Sequence, residues 1–174
     1  RQAGDKAEIL ALTINLSNIH DDQGDYGPAL QLLGDAQTLA QEINDKAQLT
    51  TCQIYMGSVR RRLGDSAGAQ TALQEAQRLA REINNAPLLA EALADHAALH
   101  LQLGQKGRAV SVARDALTQA QSAHDHRLIL LARLQAGEAS QSVRDLREVL
   151  DKATSSGLAP IAAAAHLSLA RVHL

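Results

Sequence analysis

The chain of 174 residues has no phenylalanine and no tryptophan, one methionine and one cysteine, and its only tyrosines are Tyr26 and Tyr55. A core without large aromatics has to be built from Leu, Ile, Val and Ala. Small side chains bury little area each, so stability must come from many repeated contacts. A single thiol, Cys52, excludes an internal disulfide and fits a reducing compartment, which points to the cytoplasm. An excess of one charge is missing too: 17 Lys and Arg face 19 Asp and Glu, for a net charge of −2. No bulk field therefore draws nucleic acid or anionic lipid, and no basic surface is interleaved with aromatics. The longest apolar run, residues 158–165, is too short to span a bilayer, so neither nucleic acid nor membrane is an expected partner. Three prolines and little β-branched alternation argue against sheet, which leaves an all-α chain.

What is present is repetition. A step of 40 positions pairs Gly24 with Gly64 and Gly104, and Asp25 with Asp65. The same step pairs Ala29, Leu33, Ala36, Leu39, Ala40 and Ile43 with Ala69, Leu73, Ala76, Leu79, Ala80 and Ile83, and it also reaches Ala109, Ala113, Ala116 and Ala120. A fixed period in this range marks a stacked array of supersecondary units. Apolar positions at offsets 0, 4, 7, 10, 11 and 14 define one face of a helix of roughly 19 residues, about 28 Å long.

The spacing predicts helix pairs over 6–23 and 25–43, 46–63 and 65–83, 87–103 and 105–123, and 127–141 and 143–154. A fifth first helix begins near Pro160. Glycines 24, 64 and 104 suit the left-handed conformation that closes a helix, and Asp25 and Asp65 suit the position that opens the next. Pro28, Pro87 and Pro160 fall in first turns. The units are 6–45, 46–85, 86–126 and 127–159, with a partial unit at 160–174. The fourth is shorter: its step to Pro160 is 33 positions. Residues 1–7 match 41–47, and 171–174 match 98–101, so the array reads as an excerpt of a larger protein, cut within repeats at both ends. Uncapped end faces of that kind predict end-to-end or homodimer packing.

These residues resemble the tetratricopeptide repeat, a helix–turn–helix unit usually of 34 residues. The resemblance rests on a large-then-small pair in the first (A) helix, a Gly-Asp turn, and small–large–small positions in the second (B) helix. The quoted residues are Leu16-Ser17, Gly24-Asp25 and Ala29/Leu33/Ala36, and Met56-Gly57, Gly64-Asp65 and Ala69/Leu73/Ala76. The third set is His96-Ala97, Gly104 and Ala109/Ala113/Ala116. The family's aromatic positions are mostly aliphatic or polar here, and three units are about 6 residues longer. Such extended repeats look like those of bacterial multidomain transcriptional regulators, kinesin-light-chain-type adaptors and polarity adaptors, and they leave that choice open.

The resemblance implies a right-handed α-solenoid of antiparallel helix pairs with a groove lined by the A helices. Carried over residue by residue, one groove row is Ile14, Ile54, Ala94, Leu134 and Leu167. Its neighbour is Asn18, Ser58, Ala98, Glu138 and Arg171. The first row is apolar throughout, so it is either an apolar peptide groove or part of the core, and the residues do not decide. A carboxylate clamp is not expected, because the rows offer only Asn18 and Arg171, far apart. Asp21-Asp22 and Arg61-Arg62 occupy equivalent places in adjacent units and predict ladder-like ion pairs between A-helix ends; Arg61 and Arg62 are also candidate partner contacts. His20, His100 and His173 share a repeat position, and His96 and His100 stand four apart, a metal-ligand spacing. No Glu or Cys completes a set, so a structural role is expected. His124 and His126 fall in a turn.

No nucleophile motif, phosphate-binding glycine loop or carboxylate pair at a recognisable spacing is present, so no enzyme activity and no cofactor are expected. The resemblance implies a non-catalytic scaffold binding a protein or peptide. The alternative is a regulatory or sensor segment of a multidomain signalling ATPase or transcriptional regulator, taking a small effector or an inhibitory protein.

Overall fold

A computed structural model describes residues 2–172, with side chains from Asp5 onward. Among the described residues there are nine helices: α1 (Gln2–Gln23), α2 (Tyr26–Glu42), α3 (Lys46–Leu63), α4 (Ser66–Glu82), α5 (Ala86–Gln102), α6 (Lys106–Ser122), α7 (His126–Ser140), α8 (Val143–Ser155) and α9 (Ala159–Val172). No strand interrupts them. The chain divides into two compact units, residues 1–88 and 89–174.

The helix ends show why the repeat is written as it is. Gly24, Gly64 and Gly104 take φ values of +80°, +88° and +70°, the left-handed closure expected of them. The reverse turns, from B helix to A helix, use Asn44, Asn84 and His124 at φ near +55°. The next residue then caps the A helix: Asp45 accepts from Gln48 N at 3.0 Å, Asn85 from Leu88 N at 3.0 Å and Asp125 from Leu128 N at 2.9 Å. Asp65 caps α4 from Gly68 N at 2.9 Å, as its position suggested. Asp25 does not cap α2. The third residue of α2 is Pro28, which has no N–H to give.

Residues 2–5 also depart from expectation. They continue α1 as one helix, where the match to 41–47 called for a turn. At the other repeats that turn is held between two helices; among the described residues none precedes α1.

In the first unit, Leu10 and Ile14 of α1 meet Ala36 and Ala40 of α2 and Cys52 of α3. Ala29 and Leu33 of α2 meet Met56 and Val59 of α3 and Ala72 of α4. A small residue lets α3 approach α4: a Cβ on Gly57 would lie 2.6 Å from Leu73 Cγ. In the second unit, Leu130 and Leu134 of α7, Leu146, Val149 and Ala153 of α8, and Ile161 and Ala165 of α9 make one cluster. Gly137 sits against Leu146 in the same way, with 3.2 Å to its Cγ.

Candidate functional site on the A helices

The apolar row is not a groove. Ile14, Ile54, Ala94 and Leu134 are buried, and only Leu167 is open to solvent, at 61% exposure. The difference follows from the helix pairs. Ile14 and Leu134 lie against B helices, α2 and α8 respectively, whereas α9 has no following helix among the described residues. At Ile14 and Leu134 the row is the seam between the two helices of a repeat, and with Ile54 and Ala94 also buried an apolar peptide groove along these four is corrected to core.

The neighbouring row stays at the surface. Asn18, Ser58, Ala98 and Glu138 are partly exposed and Arg171 is exposed. In the first unit Asn18 is flanked by the exposed Asn15, and Ser58 by the partly exposed Thr51 and Tyr55. In the second, Glu138 accepts a hydrogen bond from the Ser168 hydroxyl of α9. These side chains give amide, hydroxyl and carboxylate groups that can meet a peptide backbone or polar side chains.

The ends of α1 and α3 form the expected cross-repeat ion pair, Arg62 Nη1 to Asp21 Oδ2 at 2.9 Å. Burial outweighs that guanidinium, however, and pushes the Asp21 carboxyl above its ordinary range. Its Oδ1 is buried with no hydrogen-bond partner. Arg60 reaches the Gly68 carbonyl at 3.3 Å, and Arg61 is partly buried.

A second ladder was missed. Lys6 binds Glu42 at 2.8 Å, and Lys46 binds Glu82 in the same way one repeat later. Both pairs were visible as residues recurring at the 40-position step. In the second unit Arg127 reaches Glu91 at 3.4 Å. A hollow of about 360 Å³ beside Lys46, lined also by Ala40, Asn44, Leu49, Arg78 and Glu82, has its charges answered internally, since Arg78 holds both Glu75 and Glu82.

His96 and His100 stack with ring centroids 4.6 Å apart, and both are buried. His100 Nδ1 meets Gln105 Oε1 at 2.9 Å. Burial, helped by His100, lowers His96 from 6.5 to about 4. Among the described residues no three His, Cys, Asp or Glu side chains converge on a metal-sized position. His20 lies 3.7 Å from Asp25, His124 and His126 are exposed, and His173 lies outside the described residues.

A family model for the tetratricopeptide repeat matches residues 50–122. The repeats over that stretch are tetratricopeptide repeats. A second family model, anaphase-promoting complex subunit 5, matches residues 4–62. No curated protein matches the chain in sequence. Among solved structures, a Rap protein complexed with competence and sporulation factor is similar at a TM-score of 0.76 and 12% identity, over 86% of this chain and 44% of that one. A signal transduction ATPase with numerous domains, with a tetratricopeptide repeat sensor, from Pyrococcus horikoshii, is similar at a TM-score of 0.74 and 16% identity, over 98% of this chain and 28% of that one. The chain thus spans less than half the length of either structure. The tetratricopeptide fold is all-α, of the helical-repeat solenoid class, and it is an interaction fold that binds protein or peptide partners. No described helix is long and apolar enough to cross a membrane.

Proposed function

We propose that the chain is a non-catalytic, cytoplasmic scaffold that binds a protein or peptide along the polar row of its A helices. Asn18 and Ser58 would carry the contact in the first unit, with Arg61 and Arg62 at its edge. Ala98, Glu138 and Arg171 would carry it in the second. The observation behind this reading is the contrast between rows: the apolar one is buried at Ile14, Ile54, Ala94 and Leu134, while the polar one remains partly open. Side-chain amides and hydroxyls can pair with the backbone of an extended segment, which fixes a peptide without an apolar pocket.

Peptides selected from a displayed library against the chain test it. Asn18→Arg combined with Ser58→Arg, or Glu138→Arg alone, should weaken selected binders at least tenfold without lowering the melting temperature. Binders indifferent to every one of these changes would overturn the reading.

The likeness to an ATPase whose tetratricopeptide repeats are a sensor favours a second reading, a regulatory segment that takes a small effector or an inhibitory protein. Stabilisation by a small molecule, with no peptide binder found, would select it.

A further inference from the structure

We propose, on the reading that the A-helix row takes a peptide, that Gln135 and Glu138 of α7 form the subsite for a basic side chain of that peptide, an arginine or a lysine. The two residues stand three apart on one face of the helix. Glu138 is partly exposed, and its hydrogen bond comes from a neutral group, the Ser168 hydroxyl of α9. Among the described residues no ion pair answers its charge. The neighbouring bases are engaged elsewhere or out of reach. Arg133 turns to Glu148 of α8 at 2.8 Å, Arg127 reaches Glu91 of α5 at 3.4 Å, and the exposed Arg171 of α9 makes no ion pair with Glu138.

Gln135 gives an independent sign of a ligand. It is buried, at 9% exposure, and its Oε1 has no hydrogen-bond partner. The repeat explains why. Glu138 of α7 meets Ser168 of α9, and the same register one repeat earlier sets Ala98 of α5 against Gln135. Alanine has no proton to give. An interior acceptor without a donor is a standing cost, and a donor brought by a ligand removes it. The terminal torsion of a glutamine is broad and soft, so the oxygen can turn to a donor that arrives beside Glu138. Ammonium and guanidinium groups carry several N–H donors and no acceptor, so one such group can serve the Gln135 carbonyl and the Glu138 carboxylate together.

Charge confines the subsite to the second unit. Asp95 of α5, partly exposed, holds the repeat position of Gln135 and adds a carboxylate to the same row of positions. At the corresponding positions the first unit offers only neutral groups, Asn15, Asn18, Tyr55 and Ser58. Charge complementarity therefore calls for a basic residue at α7 and not at α1 or α3.

The test selects short random displayed peptides against the whole chain. Binders should carry arginine or lysine at one fixed position, and exchanging it for the neutral citrulline or acetyl-lysine should weaken binding about tenfold. Glu138→Gln should cost the basic peptide a similar factor, leave its neutral counterpart almost unaffected, and flatten the salt dependence of binding. Gln135→Leu should weaken the basic peptide several-fold without lowering the melting temperature, because it removes the unpartnered oxygen. Binders that lack a basic residue, or whose basic residue is indifferent to either substitution, would overturn the subsite. Loss of those same binders on Asn18→Arg with Ser58→Arg would then leave the peptide-binding row standing without it. A selection that yields no binder would overturn both.

Discussion

Helices α1 and α3 are built on the same repeat positions and meet opposite surroundings. Leu12 corresponds to Cys52, Leu16 to Met56 and Ile19 to Val59; the α1 members are exposed and the α3 members are buried. The residues alone do not distinguish the two helices, since both carry two apolar faces. What separates them is the preceding B helix: α2 covers α3, and no described helix does this for α1. In a quasi-one-dimensional array, burial is a property of neighbours rather than of a residue's own repeat position.

The strongest way to break that comparison uses the row between the helices of a pair. Leu134→Glu puts a carboxylate into a sealed cluster of α7, α8 and α9 and should cost about 4 kcal/mol or more, enough to melt that unit. The repeat-equivalent Leu167→Glu should leave the thermal melt almost unchanged. If both substitutions proved harmless, the seam assignment would fail. Truncation across the other face gives a smaller contrast. Met56→Ala should lose about 2–4 kcal/mol, and Leu16→Ala less than about 0.5 kcal/mol, read by denaturant unfolding.

Next in size are two local constraints. Gly57→Ala sets a methyl within 2.6 Å of the buried Leu73 and should cost about 1–3 kcal/mol despite the better helix propensity of alanine. Gly137→Ala, with 3.0 Å to its nearest neighbour, should cost less. His96 makes stability depend on acid. Its folded-state value of about 4 lies below the unfolded 6.5, so the unfolded chain takes up the proton first. Stability should hold above pH 6.5 and fall by on the order of 2 kcal/mol as the pH drops toward 4. His96→Leu should flatten that slope in a pH series of melts.

The smallest effect is expected at Asp21. Its ion pair with Arg62 is offset by burial, so Asp21→Asn should shift stability by less than about 1 kcal/mol. A loss several times larger would mean that the cross-repeat pair is a principal support of the first unit.

Much of this architecture was legible in the residues. The 40-position step located the helix pairs, the glycine turns and the Asp21–Arg62 pair, because each depends on local geometry or on a neighbour one repeat away. The status of Ile14 and Leu134 was not legible. An A helix in a stack is apolar toward its own B helix and toward the preceding one, so periodicity alone cannot say which apolar row faces solvent. The missing cap at Asp25 could have been read from Pro28, whose absent N–H stands at the donor position. The partly open row at Asn18 and Ser58 was located by resemblance to the family, whereas the exposed stripe on α1 required coordinates.

The most direct measurement exploits the single cysteine. Cys52 is fully buried, and burial holds its thiol up at about 12, so the native chain should resist maleimide except through unfolding. Moving the thiol one repeat back, with Cys52→Leu and Leu12→Cys in one chain, should give labelling close to the rate of a free peptide under native conditions. Equal protection of the two thiols would contradict the claim that α1 exposes the face that α3 buries.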